Sequence, residues 1–263
     1  MFGWLKKLTG GGVRETVTPP PVPVLPPEAL SEDDLRLVLE RPCAPIVYSK
    51  PANIDPFASM FGAVRLSRAG EVWPSFEGAP LWPLCQLNLT QAPFVPDALR
   101  DLALITVFIR DNDAHAPTQI INIAEPDPAA TWALRVYSTL EGLTIPNVPK
   151  HQSTLSPRLG QWADQTADYP NHDMAGAVVD TAEVDVYAYD WSRTVQQTKL
   201  GGWPGTVQSE PWWVHAKTQD TWDLVMQIEN EPKAGWNGWG DGAAYIARSR
   251  ERPHLWAIDV QFT

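Results

Sequence analysis

Cysteine is scarce in this sequence: its 263 residues include only Cys43 and Cys85. Two cysteines in a chain of this length cannot form the disulfide framework of a small secreted domain. Cys85 lies in an apolar, strand-like run, where we expect a buried thiol. A reducing compartment therefore suits the chain best, and we predict a cytoplasmic protein.

Metal-ligand patterns are also missing. None of the five histidines pairs with another histidine or a cysteine at metal-ligand spacing. The polar run Asn171-His172-Asp173, near Asp164 and Asp168, could ligate a hard cation through oxygen atoms or could be a solvated loop. The second alternative is favoured, because metal motifs need more ordered spacing, and we predict no metal.

Long apolar runs and a basic charge balance are absent too. No run approaches the ~18 residues of a membrane span, and residues 1–8 lack the apolar centre and cleavage site of a signal peptide. Lys and Arg total 20 against 31 Asp and Glu, a formal net charge of −11. This charge repels nucleic acid and favours a basic protein partner, although solubility alone is an alternative explanation. We expect no nucleic-acid binding and no stable membrane association.

The motifs of common enzyme classes are not found. There is no nucleophile elbow and no phosphate-binding glycine loop, since Gly201-Gly202 lacks a following Lys-Ser or Lys-Thr and indicates a tight turn. Glu229, His215 and Asp241 are close in sequence, which does not make them close in space. We predict no catalytic residues and no cofactor, and an enzyme is the least favoured hypothesis.

Proline and tryptophan are abundant, with 26 and 13 residues. The Pro/Gly-rich residues 1–30 are predicted to be disordered, and residues 31–263 to form one domain. Ser31 and Asp34 have capping-box spacing, which predicts a helix that ends at Pro42. Alternating or apolar runs predict strands, and a short helix is expected over Pro96–Leu102. The predicted strands are Leu84–Leu89, Leu102–Ile109, Glu183–Tyr189, Leu224–Glu229, Ala243–Ala247 and the half-buried Trp256–Phe262. Together they predict an α+β fold of mostly antiparallel sheet with a few short helices.

Two stretches, about 62–125 and 195–263, share an order of motifs. Each has a Trp-Pro pair, a Pro-Trp or Pro-Leu-Trp element, an apolar strand with one glutamine (Gln86, Gln227), and an aromatic-Ile strand (Phe108-Ile109, Tyr245-Ile246). Duplication of a strand-loop-strand unit explains this order, and coincidence is the alternative. Each glutamine either binds the backbone of its Trp-Pro loop or faces solvent.

The tryptophans supply the candidate binding residues, because exposed tryptophan is enriched at binding hot spots and stacks on sugars. Ordinary packing is the alternative for most of them. Asp241 either faces a ligand or, with Gly242, forms a hairpin turn with positive backbone dihedrals. The binding candidates are Trp203, Gln208, Trp212, Trp213, Gln227, Trp236, Trp239 and Asp241.

Several weak motifs in order resemble those of the YwqG-like family, also called the DUF1963 family. They are Gly70–Leu87, the stretch Lys199–Pro204 with Gln208, Leu224–Glu229, and Trp239–Gly242 with Tyr245. The sequence departs from the pattern at Glu229, where Asp is expected, in the glycine spacing after Asp241, and in the proline-rich segment. The resemblance gives structural motif residues and no catalytic ones. The motif residues are Trp73, Pro74, Gln86, Gly201, Gly202, Pro204 and Gly240.

Two functional hypotheses follow. The resemblance implies a protein-binding module, and for some members of the family a role as an immunity protein against a bacterial toxin has been suggested; an acidic surface suits a basic toxin. The alternative is a binding protein for a small, carbohydrate-like ligand, which predicts a tryptophan-lined groove between the repeats with Asp and Gln at its floor.

Overall fold

The computed structural model describes residues 31–51, 55–110, 119–150, 153–179, 193–215 and 220–262. The segment 1–30 and the predicted strand Glu183–Tyr189 lie outside these ranges. Strand accounts for 39% and helix for 13% of the described residues, so the predicted mostly antiparallel β fold is confirmed. The helices are α1 Glu32–Leu39, α2 His172–Val178 and α3 Trp212–His215. The strands are β1 Arg41–Ser49, β2 Ser59–Phe61, β3 Ser67–Arg68, β4 Ser75–Phe76, β5 Ala79–Pro80, β6 Trp82–Asn88, β7 Leu104–Ile109, β8 Gln119–Asn122, β9 Trp132–Tyr137, β10 Leu143–Thr144, β11 Arg158–Trp162, β12 Thr166–Asp168, β13 Lys199–Gly201, β14 Trp222–Glu229, β15 Ala243–Ser249 and β16 Leu255–Gln261.

One antiparallel sheet dominates the molecule and is nearly closed into a barrel. Its strand order is β8-β16-β15-β14-β13-β1-β11-β2-β6-β7-β9, and β12 also pairs with β1. The long strand β1 joins two halves, since its first part pairs with β13 and its last part with β11. β8 and β9 are the two ends of the sheet and lie next to each other. The order therefore brings the first half against the second at a seam between β8 and β9.

Local sequence explains the clearest elements. Ser31 caps α1, and its side chain and Asp34 form the predicted reciprocal capping box. β7 is buried at all six positions, as its uniformly apolar sequence predicts for a central strand. The segment over Pro96–Leu102 forms a single 3₁₀ turn, Asp97–Leu99. The last strand differs from its prediction: β16 is buried on both faces, because the barrel interior covers one face and the loops and aromatic residues of the second half cover the other.

The two predicted repeats contain similar strand geometry. β6 and β14 each have a register shift two residues before the glutamine, and both glutamines are completely buried. Thr106 pairs with Gln86 and Tyr245 pairs with Gln227, so Phe108 lies two residues further along its strand from the glutamine pair than Tyr245 does. Duplication itself stays a prediction.

The core fills the space enclosed by the barrel. It includes the apolar residues of β6, β7, β14, β15 and β16, together with four fully buried tryptophans, Trp132, Trp236, Trp239 and Trp256. A second cluster packs α1 and α2 around Trp203. None of the described helices has the length and apolar character needed to cross a membrane.

Candidate functional site

The predicted tryptophan hot spots belong mostly to the interior. Trp203, Trp213, Trp236 and Trp239 are buried, and Trp212 is half-buried. Contacts between the rings explain the burial. Although Trp236 and Trp239 each follow a glycine in a loop, their rings pack edge to face with centroids 5.3 Å apart, and the Trp239 ring stacks on that of Trp132 with centroids 6.3 Å apart. Ordinary packing, the alternative explanation, therefore accounts for these four residues. Trp239→Ala would remove a core side chain, so it cannot report on a binding surface.

The turn that contains Asp241 has a different geometry from the predicted one. Asp241 is exposed, but Gly240, not Gly242, has the positive φ, at 60°. Gly242 is needed for another reason, because a Cβ there would lie 1.8 Å from the carbonyl oxygen of Gln261. Gln208 is exposed, and its side-chain amide donates to the carbonyl of Phe262, which ties its loop to the end of the last strand.

Both buried glutamines hold loops, although only one holds its Trp-Pro loop. The Gln227 Oε1 atom accepts from the amide of Gly205 at 2.8 Å, directly after Trp203-Pro204. The Gln86 Oε1 atom accepts from the amides of Arg65 and Leu66 at 2.8 and 3.0 Å. For Gln227 the prediction is confirmed. For Gln86 the Trp-Pro loop is the wrong partner, since the bound segment precedes Trp73 in the chain.

A buried ion pair supports the Gly201-Gly202 turn. Lys199 and Asp168 are completely buried, with Nζ 2.7 Å from Oδ2. The same carboxylate accepts from the amides of Trp203 and Val195, each at 2.7 Å. Burial lowers the pKa of Lys199, and the charge of Asp168 opposes that shift. Asp168 is therefore a structural residue, and within the described part of the chain no cluster of three or more His, Cys, Asp or Glu could hold a metal.

A cleft lies at the seam where the two ends of the sheet meet. This seam cleft is bounded by the loop Val72–Ser75, by the edge strand β8 and by the first residues of β9, and it encloses about 400 Å³. Its size is within the range of small-molecule sites. Trp73 and Trp132 are two of its lining residues, so the cleft is a tryptophan-lined groove between the two halves.

Among the described residues, two polar side-chain atoms of residues that line the seam cleft have no hydrogen-bond partner. Trp132 lines the cleft and is buried, and its Nε1–H group is unsatisfied. Gln119, on the opposite wall, has an Oε1 atom that is likewise buried and unsatisfied. Buried polar groups without partners are rare and cost free energy, typically ~1–3 kcal/mol each. Two residues that line the cleft thus contribute one donor and one acceptor with no partner among the described residues.

Other groups fix the walls of the seam cleft. Trp73 donates from Nε1 to the carbonyl of Leu81 at 2.8 Å and packs edge to face on Phe108, with ring centroids 5.0 Å apart. The Arg135 guanidinium donates to the carbonyl of Val72, which connects β9 to the loop on the opposite wall. Asp127 lines the cleft and is exposed. Shape is therefore set by packed rings and by a link across the cleft.

Sequence reasoning named Trp73 only as a structural motif residue, and it missed Trp132 and Gln119. A signal for each was present. Trp132–Tyr137 has the aromatic and β-branched composition of a strand, and Gln119 precedes the apolar pair Ile120-Ile121. Neither signal could reveal the cleft, because β8 and β9 meet only through closure of the sheet.

One comparison with known proteins gives a match. The model of a family described as a domain of unknown function, DUF1963, matches residues 59–251, which is well over half of the chain. No curated protein matches the sequence.

Proposed function

The chain belongs to the DUF1963 family, and we propose that it is a non-catalytic binding protein that holds a small, carbohydrate-like ligand in the seam cleft. The observation that carries this proposal is a pair of buried polar atoms with no partner among the described residues, Trp132 Nε1–H and Gln119 Oε1, both in residues that line a cleft of about 400 Å³. A pair of hydroxyl groups on a sugar ring supplies an acceptor for the first and a donor for the second.

The apolar part of the cleft complements the other property of a sugar. A pyranose ring has an apolar face that stacks on aromatic side chains. Trp73 supplies a half-buried ring held by its own hydrogen bond to Leu81. Pre-organised rings lower the entropic cost of binding, because little side-chain freedom is lost.

The similar register shifts beside Gln86 and Gln227 support the proposed duplication. The seam cleft does not depend on it, because all residues that line the cleft lie between Val72 and Arg135.

The indole N–H signal of Trp132 provides the direct test. In protein labelled with ¹⁵N at tryptophan, Trp132→Phe identifies the signal by its disappearance. Titration of the wild type with a panel of mono- and disaccharides should then shift that signal selectively. The signal of Trp256 is the matched control, because its Nε1–H is also unsatisfied and buried while Trp256 does not line the cleft.

Affinity measurements on variants test the two polar contacts separately. Gln119→Leu and Trp132→Phe should each weaken binding by about five- to tenfold, the range for one neutral hydrogen bond. Thermal melts establish that each variant is folded. If no sugar shifts the Trp132 signal, or if Trp256 shifts equally, the proposal is wrong.

A protein partner, such as a toxin neutralised by an immunity protein, is the second candidate. It is favoured by the net charge of −11 and by Val72, which is 81% exposed at the mouth of the cleft. Ile145, 68% exposed, lines a groove that also includes Val72. An acidic protein with an exposed apolar patch is suited to a basic partner that associates quickly and dissociates as salt rises.

Pull-down from the native host at low and moderate salt tests this second candidate. A basic partner should be captured by wild-type protein and by Leu37→Ser, which changes an equally exposed residue, 78%, on α1. Val72→Ser should lose it. Equal capture by both variants would refute a role for this surface, and capture of no basic protein would refute the candidate.

A further inference from the structure

A second cleft, separate from the seam, is lined by arginines although the chain is strongly acidic. This arginine cleft encloses about 800 Å³ between the segment Phe94–Arg100 and residues of β1, β13 and β14, with Arg250 directly after β15. Three arginines, Arg41, Arg100 and Arg250, line it together with two aspartates, Asp97 and Asp223. The lining therefore has one positive charge in excess, whereas the whole chain has a net charge of −11.

Arg41 supplies the excess charge. Its guanidinium carbon lies 3.3 Å from the centroid of the Trp203 ring, and the side chain is exposed to the cleft. Among the described residues the Arg41 guanidinium has no hydrogen bond and no ion pair. Surrounding protein lowers the pKa of Arg41 to about 10, against the opposing charges of Asp223 and Asp168. The group thus remains charged at neutral pH, with its donors unused.

The ring under Arg41 is held in place. Trp203 is buried, and its Nε1–H donates to the carbonyl of Leu39 at 2.7 Å. Its backbone amide donates to Asp168 at 2.7 Å. A guanidinium stacked on a fixed aromatic face loses little freedom on binding, and its planar fork of donors matches an oxyanion.

The other two arginines are engaged in solvent-exposed ion pairs. Arg250 binds Asp223 through two contacts of 2.6 and 2.7 Å, and its side chain is 63% exposed. Arg100 lies 2.7 Å from Asp97 and is 70% exposed. Exposed pairs of this kind are weak, so their arginines can reorient toward a stronger anion at little cost.

An ion pair and a hydrogen bond hold the two halves together beside the arginine cleft. Arg248 of β15 binds Asp101 through two contacts of 2.6 and 2.9 Å and donates to the carbonyl of Ala98 at 2.6 Å. These bonds connect the segment after Phe94 to the second half. The separation of Arg41 from Arg100 and Arg250 is therefore set by the fold.

From this arrangement we infer that the arginine cleft binds a small molecule that carries an oxyanion, phosphate or carboxylate. Arg41 forms a bidentate contact with the anion from its seat on Trp203. Arg250 and Arg100 line the same cleft and add positive charge. The site is independent of the seam cleft and of the ligand proposed there.

Equilibrium binding of inorganic phosphate and of citrate, measured by calorimetry at constant ionic strength, tests the inference. Either anion should bind wild-type protein saturably, and the stronger of the two identifies the group. Arg41→Gln should weaken binding about tenfold or more, as expected for loss of a charged bidentate contact. Arg41→Lys, which keeps the charge but not the fork, should fall between the two.

Two control variants make the result specific. Arg36→Gln changes an arginine of α1 that is paired with Glu32 outside the cleft, and it should bind as the wild type does. Gln119→Leu should also leave anion binding unchanged, which separates this test from that of the seam cleft. The inference would be overturned if neither anion bound saturably. It would also be overturned if folded Arg41→Gln and Arg41→Lys proteins bound the anion as tightly as the wild type does.

Discussion

Replacing Lys199 by methionine should strongly destabilise the fold, although the new side chain is apolar and of similar length. The ammonium group is completely buried and lies 2.7 Å from Asp168. Without it, the Asp168 carboxylate remains buried with only two amide donors, from Val195 and Trp203. Breaking a buried pair by removing one partner costs about 3–5 kcal/mol, because an uncompensated charge remains in the interior.

A double-mutant cycle measures the interaction itself. Asp168→Asn should cost a similar ~3–5 kcal/mol, since the ammonium of Lys199 then keeps only the carbonyl of Val195, at 2.7 Å. The double variant should cost less than the sum of the two single variants by about 1–3 kcal/mol, the range for residues in direct contact. Urea unfolding followed by tryptophan fluorescence gives these free energies, provided that the slope with urea is unchanged.

The control is Lys233→Met, at an exposed lysine. This variant should stay within about 0.5 kcal/mol of the wild type. A cost below about 1 kcal/mol for Lys199→Met, or strict additivity in the cycle, would falsify the reasoning that this pair is a buried, mutually dependent unit.

Three further perturbations test other parts of the fold. Gly202→Ala should lower the free energy of unfolding in urea by more than about 3 kcal/mol, because φ is +70° and the new Cβ would lie 2.1 Å from an Asp168 carboxylate oxygen. Gly235→Ala is the control, because φ there is +86° but no atom lies within 4 Å, and it should cost only about 1 kcal/mol. Equal costs would contradict the packing argument. Burial raises the pKa of Glu229 above its ordinary 4.5, so the folded protein holds a proton on this carboxyl more tightly than the unfolded chain does. The contribution of this group to the free energy of unfolding is therefore complete below pH 4.5 and is lost as pH rises through the pKa of the folded state. Glu229→Gln should therefore be more stable than the wild type at pH 7 and converge with it below pH 4.5; a constant difference across a pH series of unfolding curves would count against this. Cys43 and Cys85 are buried free thiols, and burial raises the pKa of Cys43 to about 11 and that of Cys85 further. A thiol reagent at pH 8 should therefore label both cysteines only after denaturation. Rapid labelling of the native protein would show that the core opens.

Sequence patterns predicted the elements whose causes are local. The capping box at Ser31 and Asp34 involves residues three apart, and it forms as predicted. The apolar run of β7 predicted a strand buried on both faces, since each residue's preference for the interior can be judged without its neighbours. The turn at Gly201-Gly202 was also predictable, because few residues other than glycine adopt its positive φ angles, 68° and 70°.

Burial of polar and aromatic side chains was not predictable from such patterns. Trp236 and Trp239 lie in a glycine-containing loop, yet both rings belong to the core. Gln86 interrupts an apolar strand, and only the fold decides that its amide meets the backbone near Ala58 and Leu66 rather than solvent. These outcomes depend on which distant segment covers a residue, and alternation along one strand carries no such information.

The amino-acid sequence by itself determined the acidic charge, the predominance of short antiparallel strands and the family, because each depends on composition or on ordered local motifs. Only the tertiary structure decided the candidate sites. Gln119 and Trp132 meet across the seam because the two ends of one sheet approach each other. Arg41 and Arg250 line the same cleft although more than two hundred residues separate them in the sequence. They come together because β1, which begins at Arg41, pairs with β13 of the second half. Closure of the sheet is a long-range property, and the chemistry that it assembles is present in no single segment.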